Sequence, residues 1–132
     1  MKGPTSRRRS ARAQSLVEVA LSFPLLILAG VGIIQFAIWM HAEGVVTAAV
    51  QDGARTASGE TGTLADGHAA AAALLRDGLG PTAPLVNVVS TEDATAVRFE
   101  AAGNLPALFP WGPVTTVPLH ATALMARDRF IP

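Results

Sequence analysis

The side chains that could carry enzymatic chemistry are few and scattered along the chain. His41, His68 and His120 are far apart in the sequence, and His68 has no acid or second histidine at the spacing of a metal site. Ser58 and Ser90 lack the sequence context of a catalytic serine at a strand-to-helix turn. We therefore predict no catalytic residue and no metal site.

Cofactor binding is not indicated either. Glu92 and Asp93 are adjacent in a stretch typical of a turn, where neighbouring side chains diverge. Gly59 and Gly62 precede no Lys-Ser or Lys-Thr pair, so they do not resemble a phosphate-binding loop. The chain has no cysteine, which excludes disulfides and thiolate metal sites. We predict a protein that is not an enzyme and takes no cofactor or small-molecule substrate.

Glu18 is the acidic residue with the most unusual position. It directly precedes a stretch from Val19 to Ala42 in which no residue carries a formal charge. A carboxylate deep in a bilayer is expensive unless it has a partner. Two interpretations stay open: Glu18 lies at the level of the lipid headgroups, or it pairs with a positive group of another molecule.

The uncharged stretch is long enough to cross a membrane. As a helix, Val19 to Met40 would be about 33 Å long, and a hydrocarbon core is roughly 30 Å thick. A buried core helix is one alternative, but a small domain could not surround so many apolar residues. A cleaved signal peptide is another, but it ends at small residues, whereas here Trp39 and His41 occupy that place. We expect a retained single-pass anchor with Trp39 near the interface.

The distribution of charge predicts the orientation of this anchor. The first twelve positions hold five basic residues and no acid, whereas the other 120 residues hold five arginines and ten acids. The five are Lys2, Arg7, Arg8, Arg9 and Arg12. Basic residues beside an apolar span stay in the cytoplasm, and this placement does not suit nucleic acid. We predict a cytoplasmic leader at residues 1–13, a transmembrane helix at 14–42 with a kink at Pro24, and an extracytoplasmic domain at 43–132.

The junction between leader and helix resembles a known processing site. It has a small residue after a basic leader, then four residues, then a glutamate: Arg12-Ala13-Gln14-Ser15-Leu16-Val17-Glu18. This resembles the site at which type IV prepilins are cut. Residues 11 to 58 resemble more narrowly the TadE-like family of tight-adherence (Tad/Flp) pilus proteins, through Leu21, Pro24-Leu25-Leu26 and Gly53-Ala54-Arg55.

The resemblance implies cleavage between Ala13 and Gln14 by a membrane-embedded prepilin peptidase. The family usually has glycine before the cut, where this chain has Ala13. Cleavage would free an α-amino group on Gln14, and the amine of one subunit could then neutralise Glu18 of the next and set the register of packed helices. The implied partners are the lipid bilayer, the prepilin peptidase, an inner-membrane pilus platform and other pilin-like subunits.

Periodicity beyond the span predicts two helices. A stripe of small residues indicates that the membrane helix continues outward; it comprises Val46, Ala49, Val50, Gly53, Ala54 and Ala57. We read the Gly-Ala-Arg triplet as tight packing plus a solvated Arg55. After a break at 59–62, Thr63 with Asp66 signals the start of a second helix, and Gly78, Gly80 and Pro81 signal its end.

The C-terminal part of the chain predicts three strands. They are Leu85 to Ser90, a segment around Val97 to Ala101, and Val114 to Ala126, where Pro118 indicates an edge strand. We expect a turn at Thr91 to Ala94. We also expect irregular structure at Gly103 to Pro113, whose apolar residues would either cover the core as a lid or face a partner.

The sequence therefore predicts an α+β protein: a long N-terminal transmembrane helix, a second helix and a roughly three-stranded antiparallel sheet. The resemblance implies a non-enzymatic minor pilin or pseudopilin that takes part in assembly of a tight-adherence pilus in the bacterial cytoplasmic membrane. The alternative is an uncleaved, membrane-anchored binding module of the cell envelope.

Overall fold

The computed structural model describes residues 5–111 and 114–127, with side chains at 14–108 and 115–127. Its elements are α1 (Thr5–Ser58), α2 (Leu64–Leu79), a 3-10 helix (Gly80–Leu85), β1 (Val86–Glu92), β2 (Ala96–Trp111) and β3 (Val114–Ala126). The predicted α+β class is confirmed. Lys2 and the arginine side chains of the predicted leader lie outside the described residues.

The chain divides into two compact units, Met1–Phe36 and Ala37–Pro132. Within the described part of the chain, one helical stretch, Gln14–Ser58, is long and apolar enough to cross a membrane. Its most apolar window has a mean hydropathy of 2.3, and none of that window is buried within the protein. Pro24 lies inside α1, which continues through it. The kink itself stays a prediction.

In the second unit, α1 buries one stripe of its surface. Every member of the stripe predicted from the sequence is buried, and Ala42 extends it toward the N-terminus. The opposite face, with Gln51, Asp52 and Arg55, is exposed. Small side chains let a second helix approach closely, so the continuation of the helix past residue 42 forms one wall of the core.

The start of α2 is fixed by a capping box. The Asp66 backbone N–H donates to the Thr63 hydroxyl at 3.2 Å, and the Thr63 backbone N–H donates to the Asp66 carboxylate at 3.1 Å. The helix ends where Gly80 takes a positive φ of 53°, a conformation that favours glycine. Both ends agree with the prediction, whereas the 3-10 helix at Gly80–Leu85 was not predicted.

The sheet is antiparallel with the order β1-β2-β3, so β1 and β3 are its edge strands. The predicted bounds of the third strand and the edge position of Pro118 are confirmed. The turn predicted at Thr91 to Ala94 is present, but its bounds are wrong: Thr91 and Glu92 still pair with Arg98 and Val97, and the chain turns at residues 93–95.

The prediction of irregular structure at Gly103 to Pro113 is also wrong. β2 runs on to Trp111, although beyond Gly103 it pairs with β3 alone and has an irregular register between Pro106 and Trp111. Pro106 pairs with Thr116, two positions from the Asn104–Pro118 pair, so both prolines occupy pairs of the same kind. In this two-stranded ribbon a proline nitrogen can point to the open side, where it interrupts no hydrogen bond.

The core lies between the sheet and the two helices. Phe99 of β2 is completely buried with Val46, Val50, Val97 and Leu119. The apolar residues at 103–113 were expected either to cover the core or to face a partner, and the structure shows both situations: Leu105 belongs to the core, whereas Leu108 is 52% exposed. The Phe109 and Trp111 side chains lie outside the described residues. This unit is therefore a small packed domain whose uncharged β2–β3 ribbon extends beyond the three-stranded sheet.

Candidate functional site

Glu18 lies on an exposed face of α1 beside two hydroxyl groups. Helical spacing brings Ser15, Glu18 and Ser22 to one side, where they line an open depression of about 280 Å³. The apolar part of its lining comes from Val19, Phe23 and Leu26. Glu18 makes no hydrogen bond or ion pair with the described part of the chain. The carboxylate is thus available to a donor from another molecule.

The predicted cut site is one helical turn before this carboxylate. Both Ala13 and Gln14 lie in α1, and Gln14 is exposed. Residues four apart on a helix are neighbours, so Gln14 and Glu18 share a face. The structure thus places the two parts of the predicted site next to each other, while cleavage and the role of Glu18 remain predictions.

The apolar surface around Glu18 is large and uncovered within the first unit. Leu16 is 70% exposed, Leu21 68% and Ile33 70%. Lipid tails or other apolar helices are expected to cover this surface. Removing one side chain of this size completely from water is favourable by about 1.5–3 kcal/mol.

The Gly-Ala-Arg triplet lies where α1 packs closely against α2 in the second unit. Gly53 and Ala54 are buried, whereas Arg55 is exposed. A Cβ atom at Gly53 would lie 3.0 Å from the Gly67 carbonyl oxygen, and one at Gly67 would lie 2.5 Å from the Gly53 carbonyl oxygen. The two helices therefore cross where both have glycine. Gly67 was missed in the sequence because it stands outside the apolar stripe of α2.

The three histidines serve separate contacts in the second unit. His68 lies 2.7 Å from the Ser90 hydroxyl and 5.2 Å from the Phe99 ring, so it joins α2 to the sheet. His120 Nε2 lies 3.0 Å from the Glu100 carboxylate across the β2–β3 ladder. His41 lies 3.4 Å from the Gly78 carbonyl oxygen. Among the described residues, no group of three or more potential ligands could hold a metal ion.

Glu43 is a polar residue whose environment the sequence did not reveal. One of its carboxylate oxygens is buried and has no hydrogen-bond partner in the described part of the chain. Buried oxygens of this kind usually have a donor. The feature of the sequence that could have pointed to Glu43 is its position as the first acidic residue after the uncharged stretch.

Comparison with known families bears directly on the N-terminal helix. Residues 13–55 match the family model described as TadE-like protein. This segment is TadE-like. It contains Glu18, Pro24 and the Gly-Ala-Arg triplet, and the resemblance predicted from the sequence is confirmed. No curated protein and no solved structure matches the chain.

The TadE-like segment implies a role in assembly of a tight-adherence (Tad) pilus. Together with the apolar helix, it indicates membrane anchoring within a pilus system, with the membrane and pilus components as partners. α2 and the sheet lie outside the TadE-like segment, which ends at Arg55 where α1 crosses α2.

Proposed function

We propose that this chain is a minor pilin or pseudopilin of a tight-adherence (Flp-type) pilus and acts without enzymatic activity of its own. One observation carries the proposal. Within the TadE-like segment, a small residue, Ala13, is followed five positions later by an exposed glutamate, Glu18, at the start of the stretch that can span a membrane. This is the arrangement that a processed, helix-packed subunit requires.

In this proposal a prepilin peptidase cuts between Ala13 and Gln14. The cut removes the basic leader, which carries five positive charges, and leaves a chain with five arginines and ten acids. The leader then serves to orient the helix and to retain the uncut chain in the membrane, with its N-terminus in the cytoplasm and its C-terminal domain outside.

The new amine on Gln14 gives the Glu18 carboxylate a partner on a neighbouring subunit. For the two groups to meet, Gln14 of one helix must lie level with Glu18 of the next. That requires a stagger of four residues, about 6 Å along the helix axis. An unpaired charge among apolar helices would be strongly unfavourable, so the pair would select this register over others.

Mass spectrometry of the N-terminus tests the proposal in cells with and without the prepilin peptidase. We expect a mature chain that begins at Gln14 only when the peptidase is present. Replacement of Ala13 by glycine, the residue usual in the family, should leave cleavage intact, whereas a bulky Ala13→Phe should prevent it. An intact leader in peptidase-containing cells would contradict the proposal and favour the uncleaved membrane-anchored binding module.

A further inference from the structure

The β2–β3 ribbon has a charged end and an uncharged end. Between Glu100 and Arg127 the sequence contains no aspartate, glutamate, lysine or arginine. The charged end is held by an ion pair between Arg127 and Glu92. Toward the other end the sequence is apolar and rich in proline, and Leu108 is 52% exposed although Leu105 is buried in the core.

Three contacts define how the ribbon is aligned with α1 inside the second unit. At the far end, an Arg127 guanidinium nitrogen lies 3.5 Å from the Gly62 carbonyl oxygen, beyond the end of α1. Met125 lines a depression with Ala48 and Arg55. At the near end, the Trp39 indole N–H donates to the Pro118 carbonyl oxygen at 3.3 Å. β3 therefore runs in the same direction as α1, with Pro118 at the level of Trp39.

The uncharged end of the ribbon must then project past Trp39, away from Gly62. β3 begins four residues before Pro118, which corresponds to about 13 Å of strand. Leu105 to Leu108 line an apolar depression of about 350 Å³ with Ile38, His41 and Ala42. This part of the ribbon therefore lies at the end of the second unit that contains Ile38 and His41.

We propose that the exposed end of the β2–β3 ribbon, Pro106 to Leu108, is a second membrane contact that lies in the interface of the lipid bilayer. Ile38, His41 and Ala42, beside which these residues lie, form the end of the uncharged stretch Val19 to Ala42, so this part of the ribbon lies at the level where the stretch would leave a bilayer. Proline, alanine and leucine side chains suit the boundary between headgroups and acyl chains, whereas the charged end would not. Since residues 101–126 contain no lysine or arginine, the ribbon binds by apolar burial instead of attraction to anionic lipids.

Because the chain has no cysteine, a single introduced cysteine can be labelled specifically. The full chain is reconstituted in lipid nanodiscs with a single cysteine, either Leu108→Cys or the control Leu124→Cys, labelled with an environment-sensitive fluorophore. The two leucines lie on the same ribbon and are 52% and 61% exposed, but Leu124 pairs with Arg98 near the charged end. Quenching is measured with aqueous iodide and with spin labels attached to the lipid tails.

We expect lipid-borne spin labels to quench the probe at 108 several-fold more than the probe at 124, with the reverse order for iodide. Equal access of iodide to both probes would overturn the proposal. Protection of the probe at 108 from iodide without quenching by lipid would also overturn it, because protein would then cover the ribbon. If Leu108→Cys alters tryptophan fluorescence, Ala107→Cys provides the same measurement. The result does not depend on cleavage or filament assembly, so it stands apart from the proposed function.

Discussion

At the scale of single residues, Glu18 carries the assembly hypothesis. It is exposed, it has no partner in the described part of the chain, and the predicted cut lies one turn away. A glutamine at this position keeps the shape and the hydrogen-bonding capacity but removes the charge. The effect of charge can therefore be separated from the effect of size.

We expect Glu18→Gln to insert into the membrane normally but to be strongly depleted from the pilus fraction, because it cannot neutralise a Gln14 amine. The measurement is an immunoblot of membrane and sheared-pilus fractions from cells that express the variant. Ser22→Ala, on the same face, is the matched control and should behave like the unaltered chain. Normal incorporation of Glu18→Gln would refute the charge-pair hypothesis.

Gly67 is the residue at which packing is tightest between α1 and α2. A Cβ atom there would lie 2.5 Å from the Gly53 carbonyl oxygen, 2.7 Å from the Phe99 ring and 2.9 Å from the Ala57 Cβ atom. We expect Gly67→Ala to lower the free energy of unfolding of the second unit by about 1–3 kcal/mol, since backbone has to shift. Denaturant titration followed by tryptophan fluorescence measures this, because both tryptophans lie in that unit.

Gly44 supplies the control for Gly67, because it is also helical but a Cβ atom there would meet nothing within 4 Å. Gly44→Ala should raise stability by about 0.5–1 kcal/mol, the usual gain from alanine in a helix. If both substitutions changed stability alike, close helix crossing could not be the reason for glycine at 67.

At the scale of elements, the start of α2 depends on the capping box of Thr63 and Asp66. Thr63→Ala removes the acceptor for the Asp66 N–H and should cost about 1 kcal/mol. Faster hydrogen exchange of the first turn of α2 is the local readout. Thr61→Ala, an exposed threonine before the cap, should leave the exchange unchanged. Equal exchange in the two variants would show that tertiary packing, not the cap, fixes this end.

The elements also show how far the sequence could predict the fold. Periodicity and capping signals were sufficient for the outward continuation of α1, for both ends of α2 and for the bounds of β3. They failed at 103–111, because prolines and glycines are local signals against regular structure and do not show where the strand lies in the sheet. Whether a proline interrupts a ladder depends on which side of the strand has a partner, and only the register of β2 with β3 provides that information.

The candidate site was predictable to a different extent. Its residues follow from a local motif, so the sequence alone could name Ala13, Gln14 and Glu18. The Gly53–Gly67 crossing could not be named, since it joins two helices and Gly67 carries no local signal. The same holds for the His68–Ser90 contact, which spans 22 positions and depends on how α2 lies on the sheet.

At the scale of the whole molecule, the orientation of the chain is the property on which the proposed function depends. We expect the second unit to lie outside the cytoplasm, because the basic residues precede the apolar stretch. A reporter enzyme active only outside the cytoplasm, fused after Pro132, should be active. Replacement of the arginines at 7, 8, 9 and 12 by glutamine should weaken this preference. Activity of a cytosolic reporter at the same position would contradict the topology and, with it, the pilin proposal.

A helix that already turns one side toward its own domain has only the other side left for neighbours. From Ala42 to Ala57, the apolar side of α1 is occupied, and the free side presents Gln51, Asp52 and Arg55. Subunits that pack side by side along this helix would contact each other through apolar surfaces in the N-terminal stretch. Further along, they would contact each other through hydrated, charged surfaces. In a filament built on this helix, the contacts between N-terminal stretches would be apolar and the contacts further along would be polar and hydrated. Salt would then weaken the polar contacts far more than the apolar ones.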